Sequence, residues 1–332
     1  IACRLFRLMS NVKRRKYKMK SHSASSIPKF CWFLLMLLGV IWGSSFYGVA
    51  RALDSFQPMQ IASARILIGA FVLTTWCIVL GEGLPSLTDE KRKIWFYSFG
   101  MGVFTNVIPF SLLSWAQTSV SSSFAGVTMS MIPLVMLPLA HIFVNNEKLT
   151  LKKILGLSIG FLGILILFDF PKIFKEFDFV DNFEAKVACF LAVLCYAVGS
   201  IITRRSPEVS RLSFAASGLL IATIIILPLT MFLEGFPKTG NLSSIIGILY
   251  LGILPTGLAT VVLVYIIKTA GPSFLSLVNY LVPIWAIVFG VLLNSEELKS
   301  SFVIALFFIF IGMTISQMRL TPLHKYKLMF LK

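Results

Sequence analysis

One pattern occurs twice in this chain. FAGVTMSMIPLVMLPLAHIFVNNEKL starts at Phe124 and is followed by the apolar run ILGLSIGFLGIL. FLSLVNYLVPIWAIVFGVLLNSEEL starts at Phe274 and is followed by FVIALFFIFIGM. Phe124 and Phe274, Pro133 and Pro283, and Glu147 and Glu297 each stand 150 residues apart, as do Trp115 and Tyr265 just upstream. Apolar runs match by chance. A Phe, a Pro and a Glu in one register do not. The chain is an internal repeat of two half-chains, so whatever the first half builds the second builds again.

What is repeated is a set of membrane crossings. The 332 residues are 57% hydrophobic and only 13% charged, against about 25% charged in a soluble domain. Apolar runs of about 20 residues, enough to span a bilayer as helices, recur along the whole length. Strand-like alternation of the kind a membrane β-barrel needs is missing. The expected fold is an all-α polytopic membrane protein. Ten transmembrane helices are placed at roughly 30–49, 59–80, 94–115, 124–144, 154–170, 183–203, 212–232, 245–267, 274–294 and 302–318. The first repeat then covers 30–170 and the second 183–318, with a basic tail at 1–29 and a shorter one at 319–332. The basic tail before an apolar run resembles a signal peptide, but the run at 30–49 is too long for an h-region. Met9 and Met19 offer other starts.

Lys and Arg in the loops set the orientation. With the N-terminus cytoplasmic, the inner side carries nine in the first tail and three each in the loops around Lys91, Lys152 and Arg204. Lys268 and four in the last tail complete that side. That makes 23 of the 30; six lie outside, and Arg65 lies within a helix. Both termini are expected to be cytoplasmic. The net charge of +16 is then mostly a topology signal, and no nucleic-acid partner is called for. Five crossings per half turn the second half over relative to the first. Inverted repeats of this kind let a carrier alternate between two conformations around a midplane site, which points to transport of a small-molecule metabolite across the bilayer.

With these features the chain resembles the drug/metabolite transporter superfamily, specifically proteins with two EamA domains. The residues that carry the resemblance are Trp42-Gly43-Ser44-Ser45-Phe46 in the first helix and Ala64-Arg65-Ile66 in the second. Each half adds a Pro in its fourth helix (Pro133, Pro283), a Glu-x-Leu after it (Glu147-Lys148-Leu149, Glu296-Glu297-Leu298), and a Gly late in the fifth (Gly163, Gly312). The Gly that usually precedes the Glu is here Asn146 and Ser295. The resemblance implies two inverted five-helix bundles around a central cavity open to one side at a time. It also implies movement of metabolites, amino acids or drugs across the inner membrane. Some relatives carry S-adenosylmethionine, and related families carry nucleotide sugars.

Polar side chains inside spans are costly and therefore candidates for function, and aromatic ones can stack on a ring or hold a cation. The candidate substrate-binding residues are Trp42, Ser44, Ser45, Tyr47, Arg65, Asn106, Ser111, Tyr196, Tyr265, Asn279, Tyr280 and Trp285. Arg65 reads either as a counter-charge for a carboxylate or as a snorkelling gate residue. Asn279 is favoured because Pro283 frees a backbone carbonyl beside its amide. Pro133, Glu147, Pro283 and Glu297 read as structural. His141 and Lys268 read as interfacial, and Gly39-x-x-x-Gly43 and Gly156-x-x-x-Gly160 as close helix contacts.

No Asp or Glu falls at mid-depth, so coupling through a buried carboxylate is not expected; facilitated movement or exchange is. No nucleotide-binding, metalloprotease or paired-carboxylate motif appears, and the five cysteines follow no metal spacing. Neither an enzyme nor a cofactor is expected. The substrate reading is an amino acid or similar metabolite, with an S-adenosylmethionine or nucleotide-type exchanger as the alternative and a lipid scramblase as the alternative of another class.

Overall fold

The computed structural model describes residues 28–86, 88–143, 150–167 and 182–317. Glu147, the basic tail up to 27 and the tail from 318 lie outside them.

Ten helical rods follow one another among the described residues. They are α1 (Lys29–Leu53), α2 (Pro58–Val79), α3 (89–116), α4 (Ser122–Phe143), α5 (Leu151–Leu167), α6 (Phe183–Arg205), α7 (Arg211–Leu233), α8 (Leu242–Ala270), α9 (Pro272–Asn294) and α10 (Ser300–Gln317). Eight are long and apolar enough to cross a membrane; α5 and α10 are the shorter pair. Side-chain caps place several starts. Ser121, Ser210 and Asn241 accept from backbone N–H groups of α4, α7 and α8, and Gln57 forms a capping box with Gln60 at α2. Thr150 accepts from the Lys153 N–H at 3.4 Å, so α5 begins three residues earlier than the apolar run suggests.

Four rods are interrupted, and the interruptions repeat. α3 contains a π segment at Val103–Val107 and α8 one at Gly252–Leu258. α4 contains a 3-10 segment at Met129–Met131 and α9 one at Ser276–Tyr280. Proline is the local cause. Lacking an N–H, Pro133 and Pro283 cannot send the α-helical bond to the carbonyls of Met129 and Asn279, and Pro109 and Pro255 stand at the two π segments.

The packing repeats as well. α1 lies on α8 and α9, and α6 lies on α3 and α4; α2 lies on α7 and α8, and α7 on α2 and α3. Within each pair one statement maps onto the other when helices five apart are exchanged. Equivalent helices also run against each other. The Met59 and Gln60 N–H groups at the start of α2 donate to Glu234 after α7, and Ser210 before α7 donates to Glu82 after α2. α5 and α10 are likewise antiparallel. A Cβ on Gly163 would lie 2.7 Å from the Ala305 carbonyl oxygen, and one on Gly312 would strike the backbone of Gly156 and Gly160. This is the relation that two halves of five crossings require.

The contact between α5 and α10 is backbone against backbone, so it admits no side chain at Gly312. Gly312→Leu is expected to force the two helices apart at a cost of about 1–3 kcal/mol, read as a lower thermal midpoint of the detergent-purified protein. An unchanged midpoint would contradict the packing.

Candidate functional site

A cavity lies where α1, α2, α3, α4, α6, α8 and α9 meet. The space open to the centre of a water molecule is about 100 Å³, several times the roughly 10–15 Å³ one water needs. Its wall comes from equivalent places in the two halves. Six pairs of lining residues stand 150 apart: Phe46 and Tyr196, Thr105 and Pro255, Phe110 and Thr260, Leu113 and Leu263, Met129 and Asn279, Ile132 and Val282. The cavity therefore surrounds the repeat axis. Within most pairs the chemistry differs, so a symmetric scaffold carries an asymmetric site.

The interrupted helices supply several of its polar groups. Thr105 and Asn106 belong to the π segment of α3, where the Asn106 amide donates to the Thr105 hydroxyl at 2.9 Å and that hydroxyl donates to the Met101 carbonyl. From the π segment of α8, the Pro255 carbonyl accepts from the Trp42 indole at 3.3 Å. Asn279, in the 3-10 segment of α9, donates to the Ser276 carbonyl at 3.0 Å. It lies in the wall one turn before Pro283.

Arg65 sits on α2 about 10 Å below its first residue. Only 5% of it is exposed. Its Nε donates to the Thr256 hydroxyl at 3.0 Å, and its guanidinium carbon stands 3.7 Å over the Phe110 ring centre. This is a built, buried position and not a snorkelling one. Gln117, just past the end of α3, also lines the cavity. Both its amide nitrogen and its amide oxygen are buried without a partner among the described residues.

Of the twelve candidate residues, Trp42, Ser45, Arg65, Asn106, Tyr196 and Asn279 line the cavity. The other six do not. Ser44 pairs with Tyr250 and with its own helix backbone. The Tyr47 ring lies 5.6 Å from the Arg51 guanidinium. Ser111 donates to the Val107 carbonyl. Tyr265 packs edge-on to Phe30 under Arg211, Tyr280 meets Phe310, and Trp285 lies against Phe289 and Gly43. His141 is exposed at the end of α4, and Lys268 donates to the Ser206 carbonyl at 2.6 Å. The sequence does not single out Phe110, Thr105, Gln117 and Thr260; the 150-residue spacing pairs Phe110 with Thr260, so it links those two to each other but leads to neither from the candidates.

The end of the bundle where α4 starts and α9 finishes is closed by a carboxylate network. Glu296 accepts from the N–H groups of Ser122 and Ser123 at 2.9 Å each, from the Ser122 hydroxyl, and from the Asn294 amide at 3.0 Å. Asn294 in turn accepts from Arg51 of α1. Burial alone would raise the Glu296 pKa, but the hydrogen bonds from Ser122, Ser123 and Asn294 outweigh it and hold the carboxyl below its ordinary value. The capping carboxylate is thus Glu296, while Glu297 is exposed. Pro133 and Pro283 are buried. Among the described residues no three His, Cys, Asp or Glu side chains gather as a metal site would require.

The family described as EamA-like transporter family matches residues 29–169 and 185–317. Protein PecM of Dickeya dadantii (strain 3937) is 25% identical over 83% of this chain and 89% of its own length. The uncharacterized inner membrane transporter YedA of Escherichia coli (strain K12) is 22% identical over 88% of this chain and 90% of its own. A crystal structure of a protein at 18% identity superposes with a TM-score of 0.65, covering 87% of this chain and 97% of that one; at that identity it speaks to the fold alone.

Proposed function

The chain belongs to the EamA-like transporter family, and we propose that it is a secondary transporter moving small organic metabolites of amino-acid size across the inner membrane by alternating access. Both termini face the cytoplasm, and the movement is facilitated or by exchange. One observation carries this reading: six pairs of repeat-related residues line a single cavity. If the two inverted halves exchange their conformations, that cavity stays in place while its exit changes side. The wall supports a solute with both apolar and hydrogen-bonding parts, since Trp42, Asn106, Tyr196 and Asn279 stand among aliphatic side chains.

The test is counterflow into sealed proteoliposomes preloaded with unlabelled amino acids, organic acids or other metabolites of that size. Preload-stimulated uptake supports the reading. Lipid exchange between leaflets with no solute uptake contradicts it.

No described Asp, Glu or His lines the cavity, so uptake is expected to be indifferent to an imposed pH gradient. His141→Ala, on the exposed end of α4, is expected to leave the rate unchanged. A rate that follows the gradient and falls in this variant would place a proton relay at His141.

A further inference from the structure

The cavity wall is uneven in charge. Among the described residues that line it, Arg65 alone brings a full charge. The residue is 5% exposed, and its guanidinium is held by Thr256 and Phe110. No described carboxylate lies within ion-pair distance of it. The repeat-related position in α7 is Ala215, so the second half adds no matching charge. A buried cation without a counter-ion is unfavourable, and an intramembrane cation facing a cavity is placed for the solute that passes. Gln117 adds an amide with both atoms unpartnered at the same wall. The same wall carries apolar side chains, among them Phe46, Leu113, Ile132, Leu263 and Val282.

We propose that the solute is a small organic monoanion, whose single carboxylate pairs with the Arg65 guanidinium while an apolar body lies against the aliphatic wall and a hydrogen-bonding group reaches Gln117. This rests on the transporter reading and narrows it. A guanidinium receives a carboxylate through two parallel hydrogen bonds, and the sum of charges in the loaded site is zero. A zwitterion would bring an ammonium to a wall with no described carboxylate. A dianion would leave one negative charge unmatched. In both cases an uncompensated ion is desolvated.

The experiment uses four compounds of one shape: 3-phenylpropionate as monoanion, phenylalanine as zwitterion, phenylsuccinate as dianion and 3-phenylpropanamide as neutral control. Their binding to the detergent-purified wild-type protein is read from the thermal midpoint as a function of concentration. Counterflow of any compound that binds is then measured against protein-free liposomes. The expected result is that the monoanion binds about tenfold tighter than the other three. Arg65→Gln removes that preference and leaves the amide unaffected, while Arg65→Lys retains part of it. Equal or tighter binding of phenylalanine or phenylsuccinate overturns the proposal, and so does the failure of all four to bind. The wild-type comparison stands even if Arg65→Gln fails to fold. Selective binding of the monoanion without counterflow would keep the anion site and refute transport.

Discussion

Gly126→Leu is expected to abolish transport and to cost the protein about 1–3 kcal/mol of stability, at the upper end because the site cannot relax. Gly126 stands where α4 crosses α9. A Cβ there would collide with the Cβ of Ala286 and would lie 3.5 Å from the Phe46 ring. The crossing sets the distance between the cavity-lining pairs Met129 with Asn279 and Ile132 with Val282, so spreading it displaces both walls together. Gly126→Ala alone already collides with Ala286, and Ala286→Gly in the same chain removes the colliding carbon. The double variant is therefore expected to recover most of the uptake and midpoint that Gly126→Ala loses. Purely additive losses would show that the crossing is not a shared contact.

Glu296→Ala is expected to open the end of the bundle at which α4 begins. The carboxylate satisfies two backbone N–H groups at that helix start, where an anion is also favoured by the helix dipole, and through Asn294 it ties in Arg51 of α1. Losing an acceptor of this kind is worth about 2 kcal/mol, or about 30-fold in the ratio of closed to open forms. A thiol reagent applied from that side to a cysteine placed at Leu113 should react faster by a comparable factor. An unchanged rate would mean that the network caps α4 without holding the end shut. The pH dependence follows from the sign of the shift. The carboxyl titrates below its ordinary value in the folded protein, so the stabilisation is present at neutral pH and above the ordinary carboxyl range. It is lost only as pH falls through the lowered value. The latch should therefore survive mild acid.

Much of the fold was readable because a bilayer demands apolar runs of fixed length and the repeat supplies a second copy of each. Fewer side-chain directions were readable. Trp42, Ser44, Ser45 and Tyr47 share one stretch of α1, yet only Trp42 and Ser45 reach the cavity, while Ser44 turns to Tyr250. In a soluble helix the polar face would have separated them. In a membrane helix the lipid face and the packed face are both apolar, so depth can be read but azimuth cannot. Prolines stand at the breaks in α3, α4, α8 and α9, but Pro228 lies inside the unbroken α7, so a proline alone neither marks a break nor tells a π segment from a 3-10 segment. Glu296 and Glu297 are adjacent carboxylates, and only the turn after α9, with Ser295 in the left-handed region at φ 52°, decides which one points back at α4.

Alternating access requires one cavity to serve both sides in turn, and paired cysteines can read out which side it faces. Leu113 lies near the end of α3 and Leu263 near the end of α8, at repeat-related positions of the wall. The two helices finish at opposite ends of the bundle: Ser122, beside the end of α3, meets Glu296, whereas the Ile267 and Lys268 carbonyls of α8 accept from Arg204, at the end where α6 packs on the start of α3. In a cysteine-free background, Leu113→Cys and Leu263→Cys should each react with a membrane-impermeant thiol reagent from one side only, from opposite sides. Glu296→Ala should raise the first rate and lower the second. Labelling of both positions from the same side, or rates that do not move in opposite directions, would contradict alternating access.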